Sequence, residues 1–333
     1  MTKKRFIVFA SLPIAGGLGR DLTRGITRFA HVSDEWELIL VDTQPGDFPD
    51  VPAYVDGVIA TAWRPRIRPE FIALGKPLVF ALSGYADDGI PRVIDDWPAT
   101  GRLAYQHLAS LGHEHFALVG GRDERRHTHS RFAAFREAMQ PGHVCHEPAF
   151  VSRDFYPENQ PDTARRLGAW LAERPRPLAV FCSGNAQGRC ALEACRQAGL
   201  MVPEQVAVLA PDNVDLAAEA MTPPLSGIDM GWRHAGYLAA ELLQRLFDGE
   251  DLRGHVERVS PVGVVPRRST DTLAIGDADV AAAVRTVRER ACEEASLDEI
   301  LVDIPASRRK LEIGFRRWLG RTINQERTRA RIQ

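Results

Sequence analysis

The sequence contains no run approaching the ~20 apolar residues that a membrane helix requires. It is also poor in cysteine, with 5 in 333 residues. None forms a Cys-x-x-Cys pair, and Cys190 and Cys195 sit within a helical pattern without histidine partners. That argues against a disulfide scaffold and a zinc module, and predicts thiols in a reducing compartment. Nucleotide and hydrolase signatures are missing too. AGGLGRD (15–21) lacks the spacing of a dinucleotide loop, and no Walker or Gly-x-Ser-x-Gly pattern occurs. The histidines are dispersed, and the His127/His129 spacing is poor for a helical metal pair. Asp87-Asp88 and Asp95-Asp96 read as loop and cap residues rather than acid/base dyads. No catalytic residue, cofactor or metal site is therefore predicted. FIVFASLPIA (6–15) imitates an export signal after its basic start, but it is short and lacks a convincing cleavage motif. It reads as the first strand of the fold, with a cytoplasmic location expected.

What the sequence does have is a lopsided charge. Residues 307–333 hold nine basic and two acidic residues, against 33 basic and 42 acidic in the rest. The net charge of -2 therefore conceals an acidic body and a basic tail. Ser307 is a good N-cap, and Leu311, Phe315 and Trp318/Leu319 follow on one helical stripe. Arg308, Arg309, Lys310, Arg316 and Arg317 crowd the start and the other face. Upstream, Ser296 caps a first helix through Leu297, Ile300 and Leu301, and Pro305 breaks it. Two short helices with a tight turn, the second basic, form a helix-turn-helix pattern suited to a major groove.

The acidic body alternates apolar strands and amphipathic helices. Strand-like runs occur at 5–12, 36–42, 57–62, 77–82, 115–121, 178–184 and 206–212. Helical patterns lie between them, such as DLTRGITRFAHV (21–32) and DTARRLGAWLAERP (162–175). This order predicts an α/β protein of two lobes, each a parallel sheet flanked by helices, followed by a small all-α segment. In such sheets ligands bind beyond the carboxyl ends of the strands. Those ends offer Ser11, Trp63, Ser83, Arg122, Ser183 and Asp212.

The tail resembles the first helix-turn-helix of AraC-type DNA-binding domains, through Ser307, Arg308, Leu311, Phe315, Leu319 and Gly320. Pro305 stands in the turn where that family more often has Gly. The body is similar to LacI/GalR-type sugar sensors, the fold of periplasmic sugar-binding proteins. The segments that carry this are 95–121, RFAAFREAM (131–139) and 178–215. A sensor placed before an AraC-type tail is similar to the xylose operon regulator family, as are PEN (157–159) and VVPRRSTD (264–271). The resemblance implies a sensor over 1–270. Lobe one is expected at about 1–113 and 227–250, and lobe two at about 114–226 and 251–270, with the first crossing at Leu111-Gly112-His113. A partial AraC-type domain is expected over 271–333, with its second unit absent: either a fragment, or a truncated regulator with weakened operator binding.

The family pattern also implies site residues. Asp212 matches the ligand aspartate, with capping of the next segment as its alternative role. Arg131 matches the ligand arginine, against a plain surface role. Phe155, with Tyr156 as rival, matches an aromatic facing the ligand. Asp95 stands where the family makes ligand or hinge contacts, or caps helix 96–111. Trp63 and Ser11 complete the strand-end set. On the tail, Ser307, Arg308, Arg309, Lys310 and Arg316 are the expected DNA contacts. The implied function is a sugar-responsive, DNA-binding transcription regulator sensing a monosaccharide such as a pentose, dimeric through helix 21–32, with no membrane partner. The alternative is a sugar-binding protein, exported or cytosolic, that does not bind DNA.

Overall fold

The computed structural model describes residues 5–43, 47–61, 67–82, 88–120, 126–148, 160–212, 215–271, 277–319 and 321–332. Lobe one opens with β1 (Phe6–Leu12), α1 (Gly17–Ser33), β2 (Trp36–Asp42), β3 (Gly57–Ala60), α2 (Arg68–Ala73), β4 (Leu78–Ala81) and β5 (Arg92–Asp95). Lobe two follows with α3 (Trp97–Ser110), β6 (His115–Val119), α4 (Arg126–Glu137), β7 (Val144–His146), α5 (Gln160–Ala172), β8 (Leu178–Cys182), α6 (Asn185–Gln197), β9 (Val206–Pro211), α7 (Asp215–Glu219) and β10 (Ser226–Asp229). The chain then returns through α8 (Trp232–Phe247) and β11 (Val256–Val259), and re-enters lobe two as β12 (Gly263–Val265). The sheet orders are β11-β5-β4-β3-β1-β2 and β12-β10-β9-β8-β6-β7. The strand pairs are parallel except β10–β12. The central strands β3, β4, β8 and β9 are buried along their whole length, which is why they read as unbroken apolar runs.

Two expected boundaries are corrected. The first crossing lies at Asp95–Asp96, not at 111–113. There β5 ends lobe one, while α3 packs Ala104, Tyr105 and Leu108 against Phe116, Phe135 and Phe181 of lobe two. Asp96 rather than Asp95 caps α3, its carboxylate accepting from Ala99 N–H at 2.9 Å. The later crossings shift for the same reason, namely strand pairing. β10 stays beside β9, whereas β11 joins lobe one beside β5.

The tail forms α9 (Ala278–Glu289), α10 (Leu297–Ile300), α11 (Arg308–Leu319) and α12 (Ile323–Ile332). The expected pair of helices is there as α10 and α11, but α10 is only one turn. Ser296 and Glu299 close a capping box at its start. The sequence reading missed α9, which supplies Val280, Ala283, Val284 and Val287 to a core shared with Ile300, Leu311, Phe315, Leu319 and Ile323. The tail therefore has a hydrophobic core of its own. Among the described residues, no helix is long and apolar enough to cross a membrane.

In lobe one, α1 and α8 cross through paired glycines. A Cβ on Gly25 would sit 2.0 Å from the Arg233 carbonyl oxygen, and one on Gly236 would sit 2.1 Å from that of Leu22. On an exposed helix, Gly→Ala stabilises by about 1 kcal/mol. Here backbone must separate, at a cost of about 1–3 kcal/mol. Gly236→Ala is thus expected to lower the urea midpoint of unfolding rather than raise it.

Candidate functional site

The strand ends of the two lobes bring three of the expected residues together. Asp95 ends β5 in lobe one, Arg131 lies on α4, and Asp212 follows β9 in lobe two. Arg131 is 5 % exposed. Its Nη1 donates to the Ser183 carbonyl at 3.2 Å, and its Nη2 lies 3.9 Å from Asp95 Oδ2 across the cleft. The position of α4 is fixed by Gly101 on α3, whose Cβ would fall 2.0 Å from the Arg131 carbonyl oxygen. Asp212 adopts φ 73, the left-handed region that Asp and Asn tolerate better than most residues. Strain of this kind at the end of a buried strand often marks a functional position. A Cβ on Gly184 would lie 4.0 Å from Asp212 Oδ2, so the β8 and β9 ends meet here.

Two carboxylates thus face one guanidinium. Burial pushes Asp95 up to about 6. Arg131 opposes that shift, Asp212 adds to it, and the Trp232 and Trp97 side chains oppose it. Asp212 is likewise raised by burial, with Arg131 opposing. Several buried polar atoms at these strand ends lack a hydrogen-bond partner: Asp95 Oδ1, Arg131 Nε, Asn185 Oδ1 and Trp232 Nε1. Unpartnered buried polar atoms are rare in folded proteins and call for an explanation. A polyhydroxylated ligand, donating and accepting around its ring, is the chemistry that satisfies such a mixed set.

Sequence reasoning missed Asn185 and Trp232. Asn185 directly follows the strand end at Ser183-Gly184, which was a usable signal. Nothing in the sequence pointed to Trp232, which opens α8 after the left-handed Gly231. Ser11 is buried, but its hydroxyl shares a 2.8 Å bond with Thr43. Trp63, Phe155, Tyr156, Ser83 and Arg122 lie outside the described residues.

On the tail, α11 buries Leu311, Gly314, Phe315 and Leu319, the expected apolar stripe with Gly314 added. Ser307 Oγ accepts from Lys310 N–H at 3.3 Å, the expected cap. Arg308 pairs with Asp298 at 3.1 Å and Glu312 at 3.2 Å. Lys310 pairs with Asp279 at 2.5 Å and Asp277 at 3.1 Å. Arg309 and Arg316 form no ion pair among the described residues. The two tied cations are among the expected DNA contacts. Exposed pairs of this kind are worth under about 1 kcal/mol, so a phosphate can replace the carboxylates at little cost.

Known proteins share this architecture. Residues 105–270 match the family described as a periplasmic binding protein-like domain. The xylose operon regulatory protein of Escherichia coli is 28% identical over 92% of this chain and 80% of its own length. A solved structure of the xylose-binding transcription activator xylR superposes with a TM-score of 0.74 at 27% identity, covering 99% of this chain and 86% of that one. The chain is similar to xylose operon regulators over nearly its whole length. The chain also resembles the transcriptional repressor PurR of Aliivibrio fischeri, 29% identical over 58% of this chain and 57% of that protein. These relatives are transcription regulators rather than enzymes, and the chain shares their two-lobed sensor fold.

The raised Asp95 gives a pH signature. A carboxyl whose folded value exceeds its unfolded one favours the fold at low pH, and that favour is lost as pH rises through about 6. Asp95→Asn is therefore expected to gain stability relative to wild type between pH 4.5 and pH 7.5 in urea denaturation. A constant difference across that range would contradict the burial of a charged Asp95.

Proposed function

We propose that the regulator senses a monosaccharide, a pentose such as xylose, in the cleft between its lobes. The observation that carries this reading is the set of unpartnered buried atoms on Asp95, Arg131, Asn185 and Trp232 around a doubly acidic, singly basic centre. Asp212 and Asp95 accept from sugar hydroxyls, and Arg131 donates to them. The xylose-binding title of the similar activator supports a pentose. Asp212→Ala or Arg131→Ala is expected to weaken binding of the preferred sugar by about 2–4 kcal/mol, because each leaves buried polar partners unpaired. Titration calorimetry against a panel of pentoses and hexoses measures this. Unchanged affinity in both variants would refute the assignment.

The DNA contacts follow from α11. We propose that its AraC-type helix enters a major groove, with Arg309 and Arg316 bonding phosphates or bases and Arg308 and Lys310 joining once they release their carboxylates. Ser307 holds the helix start. If Arg309 meets a phosphate, Arg309→Ala should weaken binding across sequences and lower the salt slope by about one. Fluorescence anisotropy at several salt concentrations tests it. A changed base preference with an unaltered slope would instead assign Arg309 to a base edge.

The regulator works in the cytoplasm, where its DNA is, and as a dimer whose two tails span two half-sites. In α1 the apolar residues Leu22, Ile26 and Ala30 are buried on the body of lobe one, which leaves Arg24, Arg28, His31 and Val32 exposed for a partner. Sedimentation at micromolar concentration is expected to give a dimer, and a monomer with and without sugar would rule this out.

A further inference from the structure

Arg288 of α9 has no part in either site, yet it is held from two sides. Its Nη1 donates to the Asp271 carbonyl at 3.1 Å and to Asp271 Oδ1 at 2.9 Å, and its Nε donates to Glu326 Oε1 of α12 at 2.7 Å. Glu326 is 2 % exposed, and Arg321 lies 3.4 Å from its other oxygen. A buried carboxylate needs a nearby cation, so the tail fixes Arg288 for its own reasons.

Asp271 belongs to the other side. It follows a single turn of 3-10 helix (Arg268–Thr270) that is bonded into the sheet of lobe two. There Ser269 Oγ donates to the Val208 carbonyl at 2.6 Å, and Thr270 Oγ1 shares a 2.7 Å bond with Ser226 Oγ. One turn back along α9, Arg285 faces Glu204, also of lobe two, at 3.9 Å. Both contacts from α9 therefore land on lobe two, the lobe that carries Arg131 and Asp212. The Asp271 side chain is 58 % exposed. A pair that exposed adds little stability, so its consequence is geometric.

We propose that Arg288, bridging Asp271 and Glu326, latches the DNA-binding tail to lobe two, so that cleft opening and closing reaches α11 as a rigid movement of that lobe. The inference rests on the reading of the chain as a sugar-responsive DNA-binding regulator. Arg288→Ala is the wrong probe, because it strands Glu326 and endangers the tail's fold. Asp271→Ala with Glu204→Ala removes both lobe-two carboxylates that hold α9 and spares Glu326, leaving on that side only the Arg288 bond to the residue 271 carbonyl.

The test uses the full chain with spin labels on the exposed Cys292 and on Gln197→Cys of α6, and with Cys145→Ser. Without ligand, and diluted into excess unlabelled chain so that a dimer carries one labelled protomer, the otherwise unaltered chain is expected to give one narrow distance distribution, and the Asp271/Glu204 variant a broad one. A narrow distribution in both would overturn the latch. In a second arm, D-xylose is added to each protein bound to a duplex selected from random sequence by the unaltered chain. The unaltered chain's DNA affinity is expected to shift by about fivefold or more, and the variant's to stay put with its D-xylose affinity intact. A variant that keeps the full shift overturns the proposal. An unaltered chain that binds neither D-xylose nor DNA would overturn the functional reading, while the distance arm still judges the latch.

Discussion

The cleft depends on one buried guanidinium facing two partly buried carboxylates. Arg131 comes from lobe two, Asp95 from lobe one, and Asp212 from the end of a neighbouring strand in lobe two. Charges removed from water need partners, and one arginine cannot fully satisfy two acids. Burial raises Asp95 and Asp212, and the single Arg131 opposes this only in part, which is the shortfall. In the proposed sugar-sensing reading the same shortfall makes the site receptive, because hydroxyl donors arriving from a ligand stabilise the charged carboxylates. Burial that costs the free sensor something thus becomes affinity when the cleft fills.

Much of the fold was legible because its central strands are buried on both faces. PLVFAL, LAVFCSG and VAVLAPD carry almost no polar residue, so their strand character did not depend on context. The assignment of helices to lobes was another matter. The amphipathic pattern of α3 shows that it packs on a sheet without saying which one. Gly101 settles that by seating α3 against the backbone of α4, a contact between residues thirty positions apart. The short strand VERV is ambiguous for the same reason, since only its pairing with β5 assigns it to lobe one. The helix α9 escaped notice because its inward residues are valines and alanines, which give weak contrast.

The site divides along similar lines. Asp212 was named from its strand end together with the family resemblance, and Arg131 from the resemblance, although it stands inside α4 rather than at a helix start. Asp95 was left with two roles, ligand or hinge contact and helix cap, and the cap belongs to its neighbour Asp96, since adjacent aspartates before a helix compete for that role until backbone direction is known. Trp232 became a candidate only through its lack of a partner, a tertiary property that no spacing reveals, whereas Asn185 directly follows a legible strand end. On the tail, the basic stripe was visible, while the pairing of Arg308 and Lys310 with nearby acids was not. Asp277 links these levels, because it caps α9 and holds Lys310 with one carboxylate.

The most direct measurement is a crystal structure of the full chain grown with D-xylose. The account predicts the sugar between the lobes, its hydroxyls within hydrogen-bond distance of Asp95 Oδ1, an Asp212 carboxylate oxygen and Arg131 Nε. A sugar bound with those three atoms still unpartnered, or bound away from the β5, β8 and β9 ends, would contradict it.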